Sequence, residues 1–145
     1  MDNEARTKAE FRAIRETIGM TQAHMAHVLG VQVRAVKRWE SPDDDHEAPD
    51  DAWYLLDACQ ERQREMVARV LGHVDELAQK YGDYPSVVSL PYWASQQAYD
   101  AGHCDPADQG SYLMVNANNR LVAFALHERG IRVVWQEDSM VPREG

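Results

Sequence analysis

Three short apolar periodicities, set apart by two glycines, occupy the run FRAIRETIGMTQAHMAHVLGVQVRAVKRWES and leave the first third of the chain few ways to fold. Phe11, Ile14 and Ile18 recur at i, i+3 and i+7, the mark of a helix with one buried stripe. Gly19 stops that helix. Thr21 carries the side-chain oxygen to cap the next one, with His24 rather than Glu or Gln at its third position. Met25, Val28 and Leu29 are expected to face inward from this second helix, and Gly30 to supply the left-handed conformation that ends it. A third helix opens at Gln32 and runs to Glu40, turning Val36 and Trp39 to the core and Val33, Arg34, Lys37 and Arg38 outward.

The charge is divided unevenly. The chain carries a net −9, yet residues 1–42 hold seven Lys or Arg against five acids, a balance of +2, while the remainder stands at −11. A mildly basic head on an acidic body predicts weak non-specific attraction to phosphate, with discrimination left to a few placed contacts. The stretch SPDDDHEAPDD after Trp39 is an acidic, proline-containing loop, expected to lie off a nucleic acid or at its margin.

Beyond the loop, residues 50–81 read as helical, with Gln63, Val67, Val70, Val74, Leu77 and Tyr81 as an inward seam. The steps of three and four suit another helix, from the same chain or from a second subunit. An unbroken helix there would span roughly 48 Å, which predicts a bend or loop near residues 59–64. Residues 86–90 resemble a short buried strand, 91–101 a helix and 102–110 a polar loop. Tyr112 to Val115 suits a second strand or the approach to a helix. Asn116 or Asn118 can cap a helix to about Arg129, with Leu121, Val122, Ala125 and Leu126 buried and Gly130 as its stop. Ile131 to Trp135 is a β-branched strand.

The expected fold is mainly α, of the α+β class: a helical domain over residues 1–58, a long connecting helix over 59–82 and a small α+β domain over 83–145, too small to stand without the helix or a partner. No apolar run approaches the ~20 residues of a membrane span, and the N-terminus lacks the apolar core of a secretion signal, so a cytoplasmic protein is expected. Cys59 and Cys104 are then a buried thiol and a loop thiol rather than a disulfide. His103 and Cys104, with Asp105 and Asp108 nearby, lack the four-ligand spacing of a zinc site, so neither metal nor cofactor is expected.

The N-terminal block resembles the Cro/C1-type (XRE) helix-turn-helix. The resemblance is carried by Arg15, the Thr21–Gln22 pair, Ala26, Gly30, Val31 and the closing Val36, Trp39 and Glu40. It implies a five-helix-type domain that places the third helix in a major groove, with Val33, Arg34 and Lys37 at base edges. Arg34 is then the candidate for bidentate recognition of guanine. Gln22 and Gln32 are candidates for phosphate, Arg38 lies nearer the backbone, and Arg15 is assigned to an ion pair with Glu40 or a neighbouring carboxylate. The layout of the remainder, with Leu90, Tyr92, Asn116 and Leu121, is similar to YdiL-like and anti-CRISPR-associated autorepressors, which implies a C-terminal dimerisation domain and a homodimer reading an inverted repeat.

The function expected from this is transcriptional regulation by a double-stranded-DNA-binding repressor. An antitoxin or protein-binding module, and an RNA-binding repressor gripping a hairpin loop, stand as alternatives. The aromatic set Tyr92, Trp93, Tyr99 and Tyr112 fits a core better than a ligand cage. No nucleophile–base pair, phosphate loop or carboxylate dyad appears at informative spacing, so the chain is not expected to be an enzyme.

Overall fold

A computed structural model describes residues 6–102 and 111–137. The described residues form six helices, α1 (Lys8–Ile18), α2 (Gln22–Leu29), α3 (Val33–Glu40), α4 (Asp50–Tyr81), α5 (Gln96–Gly102) and α6 (Tyr112–Glu128), and two strands, β1 (Val87–Pro91) and β2 (Arg132–Gln136). The chain divides into two compact units, residues 1–62 and 63–145.

In the N-terminal unit the breaks fall where the sequence puts them. Thr7 and Thr21 accept from the backbone N–H of Glu10 and His24, and Gly19 and Gly30 close α1 and α2 in the left-handed conformation, at φ 79° and 69°. The core is Phe11, Ile14, Ile18, Met20, Met25, Ala26, Val36 and Trp39, with Ala52, Leu56 and Cys59 from the first turns of α4. Phe11 meets Trp39 and Trp53 edge to face, at ring separations of 6.1 and 5.0 Å. Over the outer face of Trp53 lies the Arg6 guanidinium, 4.0 Å from the ring centre and bidentate to Asp57 at 2.8 and 2.9 Å.

Two expectations fail in this part of the chain. Val28 is exposed: an eight-residue helix buries a narrow face, and Met25 and Ala26 occupy it. Among its described residues the unit also holds three complete helices and the start of α4, not five helices. Between Asp50 and Tyr81 stands no proline and one glycine, Gly72, and α4 runs through residues 59–64 without the loop that is one of the two expectations there.

In the C-terminal unit, β1 and β2 pair in parallel, Val87 opposite Arg132 and Leu90 opposite Trp135, with α5 and α6 in the connection that parallel pairing demands. Val74, Leu90, Val122, Leu126 and Ile131 form the core, flanked by Val67, Val70 and Leu71 of α4 and by Val88, Ala123 and Val133. Arg129 grips Asp75 with two bonds at 2.9 and 3.0 Å and, with help from the Tyr84 hydroxyl, lowers the carboxyl to about 2.

Of the strand and the approach to a helix expected over residues 112–115, the helical one holds: they open α6, whose cap Ser111 supplies by accepting from Met114. Three expectations fail in this unit. Asn116 is not a cap; it is buried, and its amide brackets the Trp93 backbone, accepting from the N–H and donating to the C=O, both at 2.8 Å. Helix α5 begins only at Gln96, since β1 continues through Pro91. Leu121 and Tyr81, placed inward by periodicity, are exposed, while Gln63 and Val74 of the same seam are buried.

Candidate nucleic-acid interface

Helix α3 is held by its apolar side. Val36 is fully buried and Trp39 is 7 % exposed, which fixes the roll of the helix and turns the rest of it to solvent. Gln32, Arg34, Lys37 and Arg38 are exposed and Val33 is half-buried. Gln32 stands at the N-cap but its side chain makes no capping bond; the N–H of Ala35 turns back to the Gln32 carbonyl at 2.9 Å.

The other end of α3 is fastened by Glu40. Its carboxylate receives Nη2 of Arg15 at 2.8 Å, Nε of Arg15 in a second, shorter bond, and Nε2 of Gln22 at 3.0 Å. Arg15 also donates to the Met20 carbonyl at 2.9 Å. Two side chains, 10 % and 5 % exposed for Arg15 and Glu40, thus tie α1, the turn after it, the first residue of α2 and the last of α3 together. Gln22 is therefore a shared residue. One amide hydrogen is spent on Glu40, and the other is available at the N-terminus of α2.

Gln22, Lys37, Arg12 and Thr21 line one depression of about 610 Å³, with Glu40 and Arg15 in its wall. The structure brings Gln22 and Lys37 together there; Val33, Arg34 and Gln32 lie outside that lining, on the first turn of α3 and its cap. Arg12, which bonds Glu16 at 3.0 Å, escaped the sequence reading because it carries no motif position.

Lys8 was also missed. Its ammonium donates to the carbonyls of Arg38 at 2.9 Å, of Trp39 at 3.3 Å and of His46, so it caps the C-terminus of α3 and pins the acidic loop against it. Asp44 of that loop stands 3.9 Å from Nε of Arg38. The bonds from the His46 N–H and ring, followed by the Arg38 charge, lower the Asp44 carboxyl below the usual range.

The seven cations of residues 1–42 fall into two groups. Arg6, Arg12, Arg15 and Arg38 face carboxylates and Lys8 faces carbonyls. Among the described residues, Arg34 and Lys37 alone of the seven cations in residues 1–42 have neither an ion pair nor a hydrogen bond. They are three residues apart on one face of one helix.

Neither protein-family models nor curated proteins give a match to the chain.

Elsewhere, Trp93 and Tyr99 are core residues in edge-to-face contact at 5.7 Å, whereas Tyr92 is exposed. His103, Cys104, Asp105 and Asp108 lie outside the described residues; among the described ones no cluster of metal-binding side chains forms. Cys59 is a buried free thiol. Among the described residues no helix is long and apolar enough to cross a membrane.

Proposed function

We propose that the protein is a sequence-specific, double-stranded-DNA-binding transcriptional regulator, acting as a homodimeric repressor on an inverted repeat. The observation that carries this reading is the pair of unpartnered cations, Arg34 and Lys37, on the outer face of a helix whose inner face is locked by Val36 and Trp39. A fold that neutralises its other N-terminal cations and leaves these two has kept them for an external anion.

A major groove about 12 Å wide admits a helix such as α3. Arg34, on its first turn, then reaches base edges, where a guanidinium matches O6 and N7 of guanine. Val33 offers an apolar contact to a thymine methyl. Lys37 and Gln22, at the same depression, take phosphate together with the N-termini of α2 and α3, and Gln32 adds its amide at the start of α3. Arg38, shared with Asp44, is the weaker backbone contact. The Cro/C1-type pattern in the sequence points the same way. Repression by occupancy needs no cofactor, and a dimer supplies the second recognition helix for the successive groove.

Selection from mixed pools of random duplexes and RNA hairpins, followed by anisotropy titration of wild type and Arg34→Ala, tests the reading. The expected result is an enriched palindromic duplex, with a loss of about 1–3 kcal/mol and relaxed preference at one base pair per half-site in the variant. Enrichment of hairpins alone, or an Arg34→Ala protein with wild-type affinity and preference, overturns it.

A further inference from the structure

Among the described residues nothing packs on one face of α6. Phe124 is 71 % exposed and Leu121 beside it is exposed too, although Val122 and Leu126 on the opposite side are core. Arg120, His127 and Glu128 complete the exposed arc around the ring. Ala123 and His127, with Val133 and Trp135 of β2, line a groove of about 720 Å³ along the same helix. The apolar surface continues beyond the groove: Trp135 meets Tyr92 edge to face at 5.3 Å, and Arg120 donates to the Tyr92 hydroxyl at 2.7 Å. Monomeric soluble proteins rarely leave a contiguous apolar patch of this kind bare.

We propose that a second copy of this chain covers the face, with the two α6 helices crossing antiparallel about a two-fold axis at Phe124. This gives the dimer invoked above its contact surface, and its consequence at DNA rests on that reading. Charge complementarity selects a second copy as the occupant. A two-fold at residue 124 sets position 120 of one helix against position 128 of the other, so Arg120 faces Glu128 of the partner subunit, and the same pair recurs across the axis. Glu128 has no ion pair among the described residues, and Arg120 has only the tyrosine hydroxyl. A parallel crossing would oppose like charges instead. The shape agrees with the charge, because Arg120, Ala123, Phe124 and His127 stand at i, i+3, i+4 and i+7, the four corners of a hole for one knob. The small Ala123 leaves room in it for an incoming phenyl ring.

Light scattering and sedimentation equilibrium on the full chain test this. Phe124→Asp is expected to raise the dimer dissociation constant about a hundredfold while far-UV dichroism stays in place, since the ring is exposed, and its thermal transition is expected to lose the concentration dependence that a dimer imposes. Arg120→Glu and Glu128→Arg are each expected to weaken the dimer about tenfold, and the double exchange to restore it. A Phe124→Asp protein as dimeric as wild type, a double exchange no better than its single variants, or a wild-type monomer at micromolar concentration overturns the proposal. Should Phe124→Asp fail to fold, the charge exchange decides alone. Titration against single half-sites and inverted repeats separates this claim from the DNA reading. A dimer dissolved by Phe124→Asp in a protein that binds no duplex upholds the face without the DNA function; a Phe124→Asp dimer that still binds the repeat removes the face alone.

Discussion

Replacing Glu40 by alanine strands a buried charge. In the native unit the Arg15 guanidinium, with its side chain 10 % exposed, is held by two bonds to Glu40 and one to the Met20 carbonyl. With the carboxylate gone, the Met20 carbonyl and the exposed Glu16 carboxylate, 4.0 Å from Nη2, remain for a full positive charge that water scarcely reaches. Breaking such a pair from one side costs about 3–5 kcal/mol, and the low exposure of both partners leaves little solvent screening to reduce it. For a unit of this size that lowers the melting transition by roughly 15–30 °C. Removing both charges, as in Arg15→Met with Glu40→Leu, is expected to cost less than either single change, because neither partner is then left uncompensated. Indole cross-peaks in a urea series give the assay: Trp39 and Trp53 report the N-terminal unit and Trp93 and Trp135 the other. A Glu40→Ala protein within about 1 kcal/mol of wild type, or a double variant that loses the sum of the single losses, refutes the claim that this pair is a desolvated tie between α1 and α3.

Asp44→Asn keeps the turn, since an amide oxygen still accepts from the His46 N–H, but releases Arg38; non-specific duplex affinity is expected to rise a few fold, with a steeper salt dependence in anisotropy titrations. Asn116→Ala leaves the N–H and C=O of Trp93 unpaired in the interior, so the C-terminal unit is expected to lose about 2–4 kcal/mol in urea unfolding read at Trp93. Asp75→Asn removes a carboxylate whose folded pKa of about 2 lies below its ordinary value of 3.8, so its contribution is present above pH 4 and fades as pH falls towards 2; the gap in melting temperature between wild type and variant is expected to close over that window.

The N-terminal unit was legible because its punctuation is chemical. Gly19 and Gly30 take the left-handed conformation and Thr21 caps, each doing what its side chain, or lack of one, favours without help from distant residues. Val36 and Trp39 followed from spacing, and for Arg15 the expected partner, Glu40 or a neighbouring carboxylate, is met by Glu40 with Glu16 at 4.0 Å. What periodicity cannot rank is two adjacent apolar positions when both sit near the edge of a stripe. Leu121 and Val122 are one residue apart; the core formed by Val74, Leu90 and Ile131 takes Val122, and nothing local to α6 says so. Asn116 was misread for a related reason. An asparagine near a helix start has a common local role, and Ser111, five residues earlier, had already filled it. Lys8 was invisible because its three acceptors are carbonyls, which every sequence contains.

An acidic chain can still be a DNA reader if its charges are arranged rather than summed. Five of the seven cations in residues 1–42 are spent inside the unit, on Asp57, Glu16, Glu40, Asp44 and the carbonyls at the end of α3. Lys8 draws the acidic loop onto the C-terminal end of α3, away from its first turn, so the negative potential of Asp43, Asp44 and Asp45 bears on Arg38 before it bears on Arg34. Two free cations per chain release few counterions, and one copy should therefore hold a duplex weakly at physiological salt. A tether between two copies makes the second contact intramolecular and multiplies affinity without adding a charge. On the proposed reading, weak heads that must act in pairs bind poorly wherever the second half-site is missing, so the scarcity of positive charge becomes a source of selectivity.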